Sequence, residues 1–329
     1  MQTITLAEMP EPAYDDDADQ PHWISRLAFP ILSLVLLAVE ALLWLALRGG
    51  HYWLAVPFVL VAGHIMHGQL IGFHEASHGL LRKRRWINEL DGVLLGLFSF
   101  TSFSLYRAAH QTHHMHLSTE RDEEFWPFVQ PKAPRWLRVL AACLELTLGL
   151  FFTPCIFLRT FLRAGSPIRS RKVRRRIWLE LALMVVMWCA LATAVAWLGI
   201  WKYFLWMLVV PEIIAGNLQS WRRYIEHVGM TGSTPNSATR SIIPRGPLGH
   251  LFAFTLLHEP YHGVHHQRAG LPHAEIPRFA ASLLPQSPEE RPPFPSYRAA
   301  LLDLLRCLPD PRVGPQWNSI ASSSSSSKG

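Results

Sequence analysis

Four long runs of apolar residues, separated by short polar segments, dominate the pattern of the chain. They cover about Leu27–Leu47, Trp53–Phe73, Ile177–Leu198 and Tyr203–Leu218. A helix that crosses a bilayer needs about 20 apolar residues at 1.5 Å rise each, which the first three runs reach and the fourth approaches. Only RGGHY separates the first two runs, and only GIWK separates the last two. The pattern therefore predicts four transmembrane helices in two hairpins.

Two further apolar segments complete the helical pattern. Asp91–Phe103 is too short to span a membrane. Trp136–Leu162 is long enough, but a fifth crossing would put the two basic clusters of the chain on opposite sides. We therefore interpret both segments as interfacial or partly inserted helices. The predicted fold class is an all-α integral membrane protein with four transmembrane helices, interfacial helices and a cytoplasmic cap rich in histidine.

The charge pattern sets the predicted orientation. The formal net charge of +7 comes largely from RKRR (Arg82–Arg85) and RSRKVRRR (Arg169–Arg176). The outer turns of the hairpins hold only Arg48 and Lys202. Two more arginines belong to the basic face, Arg222 and Arg223. Cytoplasmic loops of membrane proteins carry an excess of Lys and Arg, so the termini and the histidine motifs are predicted to be cytoplasmic, and no nucleic-acid partner is expected.

The composition divides the chain into three parts. Residues 1–26 are acidic and contain prolines, which predicts a disordered tail. Residues 27–278 are the predicted membrane domain. Residues 279–329 are predicted to be a Pro-rich cytoplasmic tail with a short amphipathic helix near Tyr297–Leu308, and they end in a low-complexity serine run.

The histidines carry the candidate chemistry. Four motifs beyond the predicted cytoplasmic helix ends, HEASH, HQTHH, YIEHVG and HGVHH, supply nine of them: His74, His78, His110, His113, His114, His227, His262, His265 and His266. On a helix, positions i and i+4 lie within about 40° of each other and i+3 about 60° to the other side, so each motif presents its imidazoles together. Nine imidazoles exceed the four ligands of zinc and suit two metals. Imidazole binds zinc, copper, iron and nickel, so ligand type leaves the metal open.

Several polar residues beside these motifs are candidates for orienting the imidazoles. A metal-bound histidine usually donates its second ring N–H to an acceptor. The candidates are Glu75, Glu226, His258 and Glu259. The acids of ERDEEF, Asp122–Glu124, either share this role or are solvated surface charges.

Two other functions use the same residues. HEASH matches the H-E-x-x-H signature of zinc proteases, with His74 and His78 as ligands and Glu75 as general base. An intramembrane zinc metalloprotease would leave seven clustered histidines unused. A metal store or transporter is a further alternative, but no predicted span carries the chain of acidic groups expected of an ion path.

The ordered motifs HEASH, HQTHH and HGVHH, with the run YHGVHHQRAGLPHAEIP, resemble the membrane fatty acid desaturase superfamily. YIEHVG resembles an extra-histidine motif of the same superfamily and of the related alkane hydroxylases. The resemblance covers Leu27 to about Arg278. It implies a mushroom-like stem of four helices and a cytoplasmic cap around a di-iron centre, in which the nine histidines hold two iron ions. One departure is His258, which stands where relatives commonly have Asn.

The resemblance also implies a reaction. Enzymes of this superfamily use O2 and two electrons from a ferredoxin, a rubredoxin or a b-type cytochrome to remove hydrogen from a fatty acyl or lipid chain. We expect desaturation, with a separate electron donor. Hydroxylation, carotenoid ketolation and oxidative decarboxylation of a fatty acid to a terminal alkene use the same scaffold and remain alternatives. Chain length, head group and the position attacked are not specified by the sequence.

Overall fold

The computed structural model describes residues 23–318, and all named secondary-structure elements in this part of the chain are helices. Its α-helices are α1 (Trp23–Arg26), α2 (Ala28–Arg48), α3 (Tyr52–Ser77), α4 (Arg85–Phe98), α5 (Phe103–Met115), α6 (Arg135–Leu162), α7 (Arg171–Leu198), α8 (Trp201–Phe204), α9 (Val210–His227), α10 (Pro235–Ala238), α11 (Gly246–Thr255), α12 (His262–Gln267) and α13 (Tyr297–Cys307). Leu205–Val209 is π-helical, and Glu259–Tyr261 and Ile276–Leu283 are 3-10 helices. The predicted all-α fold class is confirmed.

The long helices α2, α3, α6, α7 and α9 are called the stem below, and the segments around the histidine motifs are called the cap. Helix α3 lies at the centre of the stem. It packs along α2 on one side and along α9 on the other, and α9 also packs along α6. Two glycines of α3 allow these approaches. A Cβ at Gly63 would lie 2.6 Å from Ile214 of α9, and a Cβ at Gly72 would lie 2.2 Å from the ring of Phe29 on α2. Small residues let membrane helices approach closely, so these positions fix how α3 packs in the stem.

Four helices are long and apolar enough to cross a membrane, in agreement with the predicted number, but they are not the same four. They are α2, α3, α6 and α7. The predicted span at 203–218 falls on α8, the π-helical turn and the first half of α9, which follow one another without a break. Glu212 and Asn217 make this region more polar than the other spans. A crossing by 203–218 therefore stays a prediction.

Helix α6 is bent near its middle. The backbone leaves the helical region at Leu148, where φ is −127° and ψ is 31°. The side chain of Asn217 on α9 forms hydrogen bonds with the backbone groups beside the bend. Its Oδ1 accepts from the N–H of Gly149 at 2.9 Å, and its Nδ2 donates to the carbonyl of Thr147 at 3.2 Å. The bend is thus compensated by a side chain of the neighbouring helix.

Both halves of α6 contact the same loop. The N-terminal half belongs to the apolar cluster that contains Phe125 and Phe128. In the C-terminal half, Arg159 and Arg163 form ion pairs with Glu123. Since both halves meet residues 123–128, they lie on the same side of the stem. This path favours the partly inserted helix that the charge pattern predicts over a crossing.

Helices α4 and α5 form a bent pair that leads the second histidine motif into the cap. The two axes differ by 100°. The start of α5 is held by Glu180 of α7, which accepts from Ser102 Oγ at 2.7 Å and from the backbone N–H of Ser104 at 2.8 Å. A carboxylate at a helix N-terminus is favoured by the helix dipole. The bend directs HQTHH towards the other histidines.

The chain beyond residue 278 packs against the cap. Helix α13 lies where the amphipathic helix is expected. Residues 309–318, called the C-terminal strap below, contact the loop after α5 and the loop after α9. The indole of Trp317 donates to the carbonyl of Phe128 at 2.8 Å, and the N–H of Gly314 donates to the carbonyl of Met230 at 2.9 Å. Of the predicted tails, residues 1–22 and 319–329 lie outside the described residues, whereas Trp23–Arg26, at the end of the predicted N-terminal tail, form α1.

Candidate metal centre

Five of the nine histidines meet in a first group, called cluster A: His74, His78, His110, His114 and His265. Their ligand atoms all lie within 4.8 Å of one another. The Nε2 atom of His110 lies 2.8 Å from that of His74, 3.1 Å from that of His78 and 3.0 Å from that of His114. The Nε2 atoms of His265 and His114 are 3.1 Å apart. Nitrogen ligands about 2.1 Å from one metal ion are separated by about 3 Å, so this spacing fits a shared metal.

The other four histidines form cluster B, which consists of His113, His227, His262 and His266. The ligand atoms of His113, His227 and His266 lie within 4.8 Å of one another. The Nε2 atom of His262 lies 2.7 Å from that of His227 and 3.0 Å from that of His266. The two clusters are adjacent, because the ring of His114 stacks on that of His266 at 4.5 Å. The arrangement provides two neighbouring groups of donors that could each hold a metal ion.

Helix geometry explains how two motifs serve both clusters. In HQTHH, the i, i+4 pair His110 and His114 turns towards cluster A, and the i+3 residue His113 turns towards cluster B. In HGVHH the arrangement is reversed. His262 and His266 turn towards cluster B, and His265 at i+3 turns towards cluster A. An H-x-x-H-H motif on a helix therefore divides its imidazoles between the two clusters, since i+4 and i+3 lie on opposite sides of position i.

Two buried acids of the loop after α5 hold histidines in place. Nδ1 of His110 donates to Oε2 of Glu124 at 2.9 Å, and Nδ1 of His113 donates to Oδ2 of Asp122 at 2.8 Å. Each bond leaves the Nε2 lone pair facing its cluster. From the sequence these acids could equally be solvated charges. Their position just after HQTHH is the one sequence feature that suggests a role beside its histidines, but only the fold shows that the two acids are buried.

Glu259 and Glu226 lie beside the imidazoles, as the sequence suggests. Oε1 of Glu259 accepts from Nδ1 of His262 at 3.0 Å, and Oε2 lies 3.4 Å from Nδ1 of His74. Glu226 is farther away, with Oε2 3.6 Å from Nδ1 of His262. Arg222 donates to Glu226 at 2.6 Å and to Glu259 at 2.8 Å. Both acids are thus paired with one buried cation.

The other two predicted orienting residues contact different groups. Glu75 is buried, and its Oε1 accepts from the backbone N–H of His273 at 2.9 Å. The ring of His258 lies 6.3 Å from that of His273, and its backbone is left-handed with φ 58°. Within residues 23–318 neither side chain forms a hydrogen bond with any of the nine histidines. Glu75 is therefore not placed as a general base beside HEASH.

Arg222 and Arg223 lie in the cap interior and not on a basic face. Both are buried. Arg223 forms ion pairs with Glu145 at 2.5 Å and Glu124 at 3.5 Å. The sequence shows the charges, but it cannot show that acids brought from distant segments neutralise them. A buried charge persists only when it is paired, so the two arginines stabilise the carboxylates that hold the imidazoles.

The environment keeps several of the imidazoles neutral. Burial lowers the pKa of His262 to about 4, although Glu259 opposes the shift. Burial and neighbouring imidazoles lower the pKa of His265 and His266 well below the usual range. At His113 burial acts in the same direction, but Asp122 outweighs it and raises the pKa. Since neutral imidazole is the form that binds metal, the donor set fits two divalent transition-metal ions.

A cavity lies in the stem next to the groups that contact His110. Its lining combines apolar side chains, among them Leu70, Phe73, Leu150 and Phe157, with polar ones that include Glu124. Tyr106 also lines the cavity, and its ring stacks on that of His110 at 5.2 Å. Tyr106 and Glu124 thus separate the cavity from His110, and its partly apolar lining is of the kind that holds a hydrocarbon chain.

Comparison with known proteins identifies the family. The family model described as fatty acid desaturase matches residues 51–298, a range that contains all nine histidines. The sn-1 oleoyl-lipid 12-desaturase of Anabaena variabilis is 31% identical over 101 residues. That segment covers 28% of this chain and 29% of the relative. The family match confirms the resemblance carried by the histidine motifs: this membrane protein belongs to the fatty acid desaturase family.

Proposed function

We propose that this protein is an O2-dependent di-iron oxidoreductase that introduces a double bond into a fatty acyl or lipid chain. The observation that carries the proposal is the pair of adjacent histidine clusters, with a partly apolar cavity behind Tyr106 and Glu124, which contact His110. The family match supports iron as the metal. When bound, the two iron ions would supply the activation of O2 and the removal of hydrogen from an unactivated C–H bond.

The residues of the chain have three tasks in this function. The nine histidines hold the metals through Nε2, and Asp122, Glu124 and Glu259 hold Nδ1 protons of the imidazoles. The apolar wall of the cavity, including Phe73 and Phe157, binds the acyl chain and excludes water. Tyr106 lies between the wall and His110 and limits how the chain approaches cluster A.

The orientation and partners belong to the same proposal. The basic clusters support a cytoplasmic position for the cap and the termini. The family match supports an electron donor of the kind that the superfamily uses, and we propose a separate ferredoxin, rubredoxin or b-type cytochrome.

Desaturation is preferred because the relative is named a desaturase. Hydroxylation, carotenoid ketolation and oxidative decarboxylation are the alternatives on the same centre. The zinc protease is disfavoured, because Glu75 is hydrogen-bonded to the backbone of His273 and five histidines meet where a protease uses two.

The test combines metal content with turnover. Purified protein in detergent is loaded with iron, supplied with a reduced electron donor and an acyl lipid, and incubated with and without O2. We expect two irons per chain and loss of substrate only with O2. His265→Ala should lower both the iron content and the O2-dependent loss of substrate. His250→Ala, which changes an exposed histidine outside the clusters, should change neither quantity. One tightly bound zinc per chain and O2-independent activity would overturn the proposal.

A further inference from the structure

One carboxylate, that of Glu259, reaches both clusters. Oε1 lies 3.0 Å from Nδ1 of His262 in cluster B, and Oε2 lies 3.4 Å from Nδ1 of His74 in cluster A. The second separation does not meet the geometry of a hydrogen bond. Nδ1 of His74 is buried without a hydrogen-bond partner within residues 23–318, and Glu259 is the carboxylate that lies within 4 Å of it. Glu124 and Asp122 differ, because each holds one imidazole of a single cluster.

The position of Glu259 is fixed by groups from two elements. It begins the 3-10 turn before α12, and its backbone N–H donates to the carbonyl of Leu256 at 2.9 Å. Arg222 of α9 donates to Oε1 at 2.8 Å and also binds Glu226. The Glu259 side chain is 4% exposed, so water does not compete for its oxygens. The carboxylate is therefore held in one orientation before any metal binds.

A carboxylate is suited to this double contact, and an amide is not. A carboxylate has two acceptor oxygens, so it can accept one Nδ1 proton with each. An amide has one acceptor oxygen, and its NH2 group would face the second imidazole N–H as another donor. Replacing Glu259 by Gln at constant size would leave one of the rings of His74 and His262 facing an NH2 donor and the other facing only a neutral carbonyl oxygen. Both imidazoles would therefore lose the charged acceptor that orients Nε2 towards the metal.

We propose that Glu259 is a positioning residue shared by the two metal positions, so that its loss weakens both together. The inference rests on the proposed function in that the clusters bind two metals. Loss of an acceptor behind a metal-bound histidine typically weakens metal binding by about 10- to 100-fold. If the protein binds two metal ions in two steps, one at each cluster, Glu259→Gln is expected to weaken both steps. Glu124→Gln and Asp122→Asn each act on one cluster, and each is expected to leave one step tight.

The experiment uses Co2+ alone as the probe. The metal-free full-length protein in detergent is titrated, and the visible absorption of imidazole-bound Co2+ reports each binding step without turnover. We expect two tight steps in the unaltered protein, two weakened steps in Glu259→Gln, and one weakened step in each of the other two variants. One tight step remaining in Glu259→Gln would overturn the inference.

Two controls separate the possible failures. If Glu259→Gln does not fold, as judged by helical content and elution in detergent, Arg222→Lys replaces it. Lysine keeps the charge but loses the planar donor group, so both steps should weaken, and a tight step remaining would again overturn the inference. If the unaltered protein binds no metal or only one, the proposed function fails, which is a different outcome from retention of one step in a variant.

Discussion

The indole Nε1 of Trp317 donates a 2.8 Å hydrogen bond to the backbone carbonyl of Phe128. This bond joins the C-terminal strap to the loop that carries Asp122 and Glu124. The indole is also covered by the guanidinium of Arg138 at 4.4 Å. A segment almost two hundred residues away from the loop therefore helps to fix the acids behind the second histidine motif.

Trp317→Ala should destabilise the cap. It removes a ring that is 5% exposed together with its hydrogen bond, and such core truncations cost about 3–5 kcal/mol. The thermal unfolding temperature in detergent measures the effect. Trp197→Ala is the matched control, because that ring is 86% exposed and packs against little of the protein. Equal unfolding temperatures for the two variants would show that the strap does not stabilise the cap.

Gly314→Ala should displace the same strap. A Cβ at this residue would lie 1.7 Å from the carbonyl oxygen of Ser118, and the backbone has φ +99°. The control is Gly50→Ala, where φ is +73° but no atom lies within 4 Å of the added Cβ. The control substitution therefore introduces backbone strain of about 1–2 kcal/mol but no steric clash. Protease sensitivity of the C-terminal segment should rise in Gly314→Ala alone. Equal sensitivity in both variants would refute the tight fit.

Asp122→Asn should lower iron binding at one of the two positions. The change removes the charge that holds the Nδ1 proton of His113, and the expected loss of affinity is about 10- to 100-fold. Iron per chain, measured by mass spectrometry after dialysis, should fall from two towards one. Asp91→Asn alters an acid paired with Arg82 and away from the clusters, so it should retain both irons. Full iron content in Asp122→Asn would contradict the assignment of Asp122.

The metal-free protein should lose stability as the pH falls below about 6.5. Burial lowers the pKa of His262 to about 4 in the folded protein, whereas the unfolded chain takes up that proton near the ordinary value. Between these values the unfolded state binds more protons, so stability is complete above the unfolded pKa and falls as the pH approaches the folded pKa. Thermal unfolding from pH 7 to pH 4 measures the slope, which should be smaller in His262→Gln. Identical slopes would contradict the shift.

Much of the site follows from sequence spacing. HEASH, HQTHH, YIEHVG and HGVHH identify all nine histidines of the two clusters, because spacings of three and four on a helix are geometric constraints. The assignment of imidazoles to one cluster or the other depends on the angle at which α5 and α12 meet. That angle is set by packing between segments about 150 residues apart, which spacing along the chain does not encode.

The supporting residues could not be predicted with the same success. Arg222 and Arg223 resemble the other basic residues in sequence. Their burial depends on Glu226, one turn along α9, and on Glu145 and Glu259, which arrive from two other elements. Trp317 lies in a Pro-rich segment with no helical pattern, so only its contacts show that it belongs to the cap. Helix α6 meets the length of a crossing, but its bend depends on Asn217 of another helix.

The most direct test of the central claim is the mass of the acyl product formed under isotopically heavy O2. Iron-loaded protein, a reduced electron donor and an acyl lipid are incubated together, and the chains are released and analysed by mass spectrometry. The account predicts a product that is lighter by two hydrogens, contains no heavy oxygen, and disappears when O2 is removed. A product carrying heavy oxygen, or one formed equally without O2, would contradict it.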